Sequence, residues 1–166
     1  MAERRIIVDG LTLKYKGYFD LEELYKLIDH WIREKAYTKH ELEVSEDVYK
    51  DGMQVHVEKQ PYKKITDYAK YVLDITIDGH HIKDVTLDRN GRKIKLQEGG
   101  LKMVITGFLE LDYEGRWQEK PMFYFLRAVL DQFVYKVNTE RFEAGLVEEV
   151  NLLHGMVKGF LNLHRY

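Results

Sequence analysis

Residues Ile82–Gly100 read IKDVTLDRNGRKIKLQEGG. Val85 and Leu87 alternate with polar neighbours on the way in, Ile94 and Leu96 on the way out, and Asn90-Gly91 stands between them. Asn and Gly tolerate the positive φ of a two-residue loop, and this pair between alternating residues is the strongest short signal for a β-hairpin. An antiparallel pair of strands is therefore predicted here.

More strands are predicted on both sides. HELEVSEDVYKDG alternates at Leu42 and Val44 and turns at Asp51-Gly52, and MQVHVEKQ then alternates Met53, Val55 and Val57 against Gln54, His56 and Glu58. YKKITDYAKYVLDITIDG reads as one long, bulged strand ending at Asp78-Gly79, and LKMVITGFLELDYEG as a further strand closing at Glu114-Gly115. RIIVDGLTLKYKGYF, residues 5–19, is strand-like with a turn or bulge at Asp9-Gly10.

Two regions carry helical spacing instead. After Asp20, a good N-cap, Leu21, Leu24, Tyr25, Ile28, Trp31 and Ile32 recur at intervals of three and four. From Pro121, suited to a first helical turn, Met122, Leu126, Val129, Leu130, Phe133 and Val137 form a second stripe. Asn138-Thr139 then offers a break and a fresh cap before a third stripe at Phe142, Leu146, Val150, Leu153, Val157 and Phe160. Bunched strands with helices at the ends predict an α+β fold. An antiparallel sheet of about six to seven strands has one N-terminal helix and a helical C-terminus packed on one face.

The 166 residues contain no linker or repeat and form a single domain, 1–166, and 45% hydrophobic with 33% charged residues suits a globular core. A net charge of −2 excludes a whole-molecule field that would draw the chain onto nucleic acid or anionic lipid. No run of apolar residues is long enough to span a membrane, and the N-terminus lacks the apolar stretch of a secretory signal. Without cysteine there are no disulfides and no thiolate chemistry, which fits a cytoplasmic setting.

The sequence contains no phosphate-binding loop, nucleophile elbow or H-E-x-x-H pattern, so no catalytic residue, cofactor or metal is assigned. The lone serine, Ser45, reads as a strand-end or turn residue. His80 and His81 are adjacent beside Asp78 and Asp84, but neighbouring strand residues point to opposite faces, so a shared ion would need a loop there. His56 lies on the polar face of its strand, and His154 reads as a satisfied packing residue. Tyr124, Arg127, Asp131 and Tyr135 share one face of the 121–137 helix, and Gly155 and Gly159 make a strip free of side chains.

Three functional readings follow. The first is a non-enzymatic cytoplasmic binding module whose partner is another protein or its own copy, in contact through Tyr124, Arg127, Asp131, Tyr135, Gly155 and Gly159. The second is a carrier or enzyme holding a small apolar ligand between sheet and C-terminal helix, lined by His56 and Tyr124. The third is nucleic-acid binding through Arg89, Arg92, Lys93 and Lys95 on the basic hairpin, which the acidic residues around it oppose.

The runs TDYAKYVLDI, LDYEGRW, FYFLRAVLDQFVYK and GFLNLHRY resemble a small family of uncharacterised archaeal proteins, a resemblance that implies no site residue. The element order is also similar to that of helix-grip (START-like) domains. That resemblance implies a sheet wrapped around one long C-terminal helix, often with an apolar ligand between them. The predicted break at Asn138 departs from it.

Overall fold

The computed structural model describes residues 3–111, 113 and 136–163. The fold is α+β. Its elements run β1 (Glu3–Phe19), α1 (Leu21–Glu34), β2 (Glu41–Tyr49), β3 (Gly52–Lys59), β4 (Tyr62–Lys64), β5 (Ala69–Arg89), β6 (Arg92–Leu111) and α2 (Lys136–Leu163). All six strands pair antiparallel in one sheet, in the order β1-β6-β5-β3-β2, with β4 beside the first residues of β5.

The hairpin at Asn90-Gly91 organises the sheet. Asn90 has φ 54° and Gly91 φ 79°, and β5 and β6 pair from Arg89–Arg92 back to Ala69–Leu111. The Asp9-Gly10 irregularity is a bulge: the β1–β6 register shifts between Val8 and Leu11, and Gly10 has φ 63°.

Three boundaries differ from the sequence prediction. The strand predicted from Tyr62 to Gly79 is interrupted, because the Thr66 hydroxyl accepts hydrogen bonds from the Tyr68 and Ala69 N–H groups and turns the chain. Asp78-Gly79 and Gly99-Gly100 do not end strands; both lie inside β5 and β6. A bulge at His80–Lys83 absorbs the irregularity, with His81 at φ 53°, and Gly99 accommodates it: a Cβ there would sit 3.0 Å from both His80 O and Ile82 Cα. Asn138 and Thr139 lie within α2 rather than starting a new helix. The helix predicted from Pro121, with its face of Tyr124, Arg127, Asp131 and Tyr135, and the closing turn at Glu114-Gly115 lie outside the described residues.

One face of the sheet carries the core. Val55 and Val57 of β3, Leu73, Ile75 and Ile77 of β5 and Met103, Ile105 and Leu109 of β6 are buried in one cluster with residues of both helices. Asp20 caps α1 by accepting from Glu23 N, and Leu21, Leu24, Ile28, Trp31 and Ile32 are buried from it. α2 contributes Leu146, Val150, Leu153, Val157 and Leu161, each buried. It lies close against β6: a Cβ on Gly107 would meet Val150 at 3.4 Å and Leu146 at 3.5 Å.

Polar contacts fix α2 in place. Glu149 of α2 accepts from the Tyr37 hydroxyl and the Lys63 ammonium, and the Tyr71 hydroxyl donates to Phe142 O. Burial, then the hydrogen bond to Glu149, raises the Tyr37 pKa, and burial pushes the Tyr71 hydroxyl up to about 12, so both stay neutral donors at physiological pH. Among the described residues the buried His154 Nε2 has no hydrogen-bond partner.

Candidate functional site

The sheet face turned away from the helices carries a polar grouping around His56 of β3. Period-two alternation puts His56 opposite in direction to its buried neighbours Val55 and Val57. His56 therefore lies outside the space between sheet and C-terminal helix, where the ligand reading placed it. The other residue of that reading, Tyr124, is outside the described residues.

Register brings His56 its neighbours. Ser45 of β2 is its partner on one side and Asp78 of β5 on the other. Ser45 is thus in mid-strand, not at a strand end or turn. His56 Nδ1 and Asp78 Oδ1 are 2.6 Å apart. Along the strand Glu58 follows on the same face, directly opposite Glu43 of β2. Ser45, Asp47, Gln54, Asp78 and His80 surround His56 in a recess of about 140 Å³.

A row of Ser, His and Asp invites comparison with an acyl-transfer triad. The chemistry requires a serine–imidazole hydrogen bond and N–H donors aimed at a developing oxyanion. Among the described residues no hydrogen bond joins Ser45 to His56, and the neighbouring ladders occupy N–H groups of β2, β3 and β5. The row is not assembled as a nucleophilic site.

The hydrogen bond to Asp78 raises the His56 pKa, opposed by some desolvation and reinforced by the charges of Asp78, Glu43 and Glu58. A raised folded-state value means that protonation favours the fold. That contribution is fully present below the unfolded value and is lost as pH rises through the folded one. Titration of the His56 ring by NMR should give a pKa above about 6.5, the ordinary histidine value. Asp78→Asn should move it back down, and an unchanged value would contradict the pairing.

His80 and His81 lie at the β5 bulge, exposed. They border a shallow depression of about 700 Å³ with Lys16, Asp51, Lys83 and Glu98, and His81 Nδ1 is 3.2 Å from Asp51. No grouping of three metal-ligating side chains forms around them among the described residues. Arg89, Arg92, Lys93 and Lys95 gather at the hairpin tip, with Asp88 directly opposite Lys93. Gly155 and Gly159 are exposed on α2, where among the described residues nothing lies within 4 Å of an added Cβ, beside exposed Leu152 and Leu163.

Nothing singled out in the sequence marks β2 as an edge of the sheet. All but one of its nine residues are exposed, including Leu42, Val44, Val48 (83%) and Tyr49. A hairpin pattern predicts where two strands pair but not which one stays at the edge, so only the acid-rich composition of ELEVSEDVY could have pointed to it.

No protein family, curated protein or solved structure matches the chain. Among the described residues no helix is long and apolar enough to cross a membrane.

Proposed function

We propose that the protein is a non-enzymatic binding module that captures an extended, basic segment of another polypeptide along β2. The observation that carries this reading is the edge itself. Among the described residues nothing pairs with the outer side of β2, which leaves a row of backbone donors and acceptors for strand addition. Edges that are protected from such pairing usually carry lysine, proline or a covering element. β2 instead shows apolar side chains together with Glu41, Glu43, Glu46 and Asp47. Glu43, Glu46 and Asp47 have no ion pair with lysine or arginine among the described residues. Carboxylates at this density repel a second β2 and favour a strand bearing lysine or arginine.

The test is fluorescence anisotropy with labelled β-prone peptides, basic and acidic, in the presence of a chelator. The basic peptide should bind, weaken as salt rises, and lose about tenfold in affinity to the Glu46→Lys/Asp47→Lys variant, a change of roughly 1.4 kcal/mol. Equal affinity for both peptides, or binding indifferent to salt, contradicts the reading. A second copy is the alternative partner, supported by the exposed Gly155 and Gly159 beside Leu152 and Leu163. A strict monomer by light scattering at high concentration removes that alternative.

A further inference from the structure

We propose that Glu43, His56 and Glu58 bind a first-row transition-metal dication, such as Zn²⁺ or Mn²⁺, on the open face of the sheet.

Their ligand atoms all lie within 4.8 Å of one another. That is close enough for small side-chain rotations to bring them around one ion, whose bonds to nitrogen and oxygen are about 2.0–2.2 Å. Strand register creates the grouping. Glu43 and Glu58 are direct cross-strand partners, and His56 is two residues from Glu58 on the same face. The ladder runs without a shift from the Tyr49–Gly52 turn to that pair, and the register shift lies beyond it, between Glu41 and Glu43.

Two like charges directly opposite each other destabilise a sheet unless something lies between them. Lys59, the nearest cation in sequence to Glu58, points to the other face and pairs with Asp29 and Glu41. Neither Glu43 nor Glu58 has a lysine or arginine partner among the described residues. A cation would relieve that repulsion.

A carboxylate outside the trio orients the imidazole. Asp78 holds His56 Nδ1 at 2.6 Å, which fixes the ring and leaves Nε2 free as an electron-pair donor. Metal-binding histidines almost always have their other ring nitrogen held in this way, by a carboxylate or a carbonyl. One imidazole and two carboxylates suit zinc or manganese better than calcium or magnesium, which take all-oxygen shells. With three protein ligands, water would complete the shell. Asp78 is a positioning residue, not a ligand. Binding needs the neutral imidazole, so affinity should rise with pH as His56 loses its proton.

The experiment uses the full chain, freed of metal, titrated with Zn²⁺ against a chromophoric chelator and with Mn²⁺ by electron paramagnetic resonance. One ion should bind per chain, and Mn²⁺ should broaden the His56 ring signals in NMR. His56→Ala and Glu58→Gln should each weaken binding by about tenfold or more, and Asp78→Asn by about tenfold. His80→Ala/His81→Ala should leave it unchanged. Circular dichroism confirms that each variant is folded. Absence of a one-to-one site overturns the proposal, as does binding that survives His56→Ala and Glu58→Gln or is lost with His80 and His81. Failure here leaves the peptide result intact, because that measurement excludes metal.

Discussion

Asp29→Ala is expected to destabilise the protein by about 3 kcal/mol in chemical denaturation, far more than removing an ordinary surface ion pair. The reason is Lys59. Its side chain is only 3% exposed, at the end of β3 on the core face, and its ammonium sits 2.7 Å from Asp29 and 3.2 Å from Glu41. Removing Asp29 leaves a buried charge with one partner, Glu41, which is 41% exposed. Lys59→Met removes charge and desolvation together and should change stability by less than about 1 kcal/mol. If the two substitutions cost the same, Lys59 is not buried as described.

The pH dependence carries a sign. Burial alone would raise the Asp29 carboxyl, but hydrogen bonds from Lys59 and Lys39 outweigh it and hold the group below its ordinary value. Its contribution is therefore present above the unfolded-state value and is lost as pH falls through the folded one. The gap in stability between the native chain and Asp29→Ala should narrow in acid.

Gly52→Ala is the second large effect, about 3 kcal/mol. Gly52 has φ 133°, where a side chain is strained, and a Cβ there would lie 2.8 Å from the carbonyl carbon of His81 and 2.9 Å from its Cα. Backbone cannot swing aside as a side-chain tip can. The β2–β3 turn would have to lift away from the β5 bulge. Thermal denaturation measures the cost, and a loss below about 1 kcal/mol would show that the turn and bulge are not in contact.

These two positions show what the sequence disclosed and what it hid. The Asn90-Gly91 hairpin, the Asp20 cap and the apolar stripe of α1 were legible because each rests on residues close together in the chain. The bulge at His80–Lys83 was not, because Gly52, Gly79 and Gly99 acquire their meaning only where separate strands meet. His56 was legible as a polar-face residue, since alternation with Val55 and Val57 is local. Its neighbours Ser45, Asp78 and Glu43 depend on register across three strands, and both pairings contain a shift. The break predicted at Asn138 failed for a related reason. Asn and Thr are weak helix formers rather than absolute breakers, and the buried stripe from Leu146 to Leu161 holds α2 regardless.

Everything proposed for the open face requires that the helices cover only the other one. The chain has no cysteine, so single thiols can report on each face without interference. His56→Cys and Val57→Cys place a thiol on adjacent residues of β3, at a side chain 38% exposed and a residue 2% exposed. Under native conditions the thiol at 56 should react with a labelling reagent at nearly the rate of the unfolded chain. The thiol at 57 should be protected by orders of magnitude and react only through opening of the fold. Equal labelling at both positions, or protection at 56 with exposure at 57, would contradict the account.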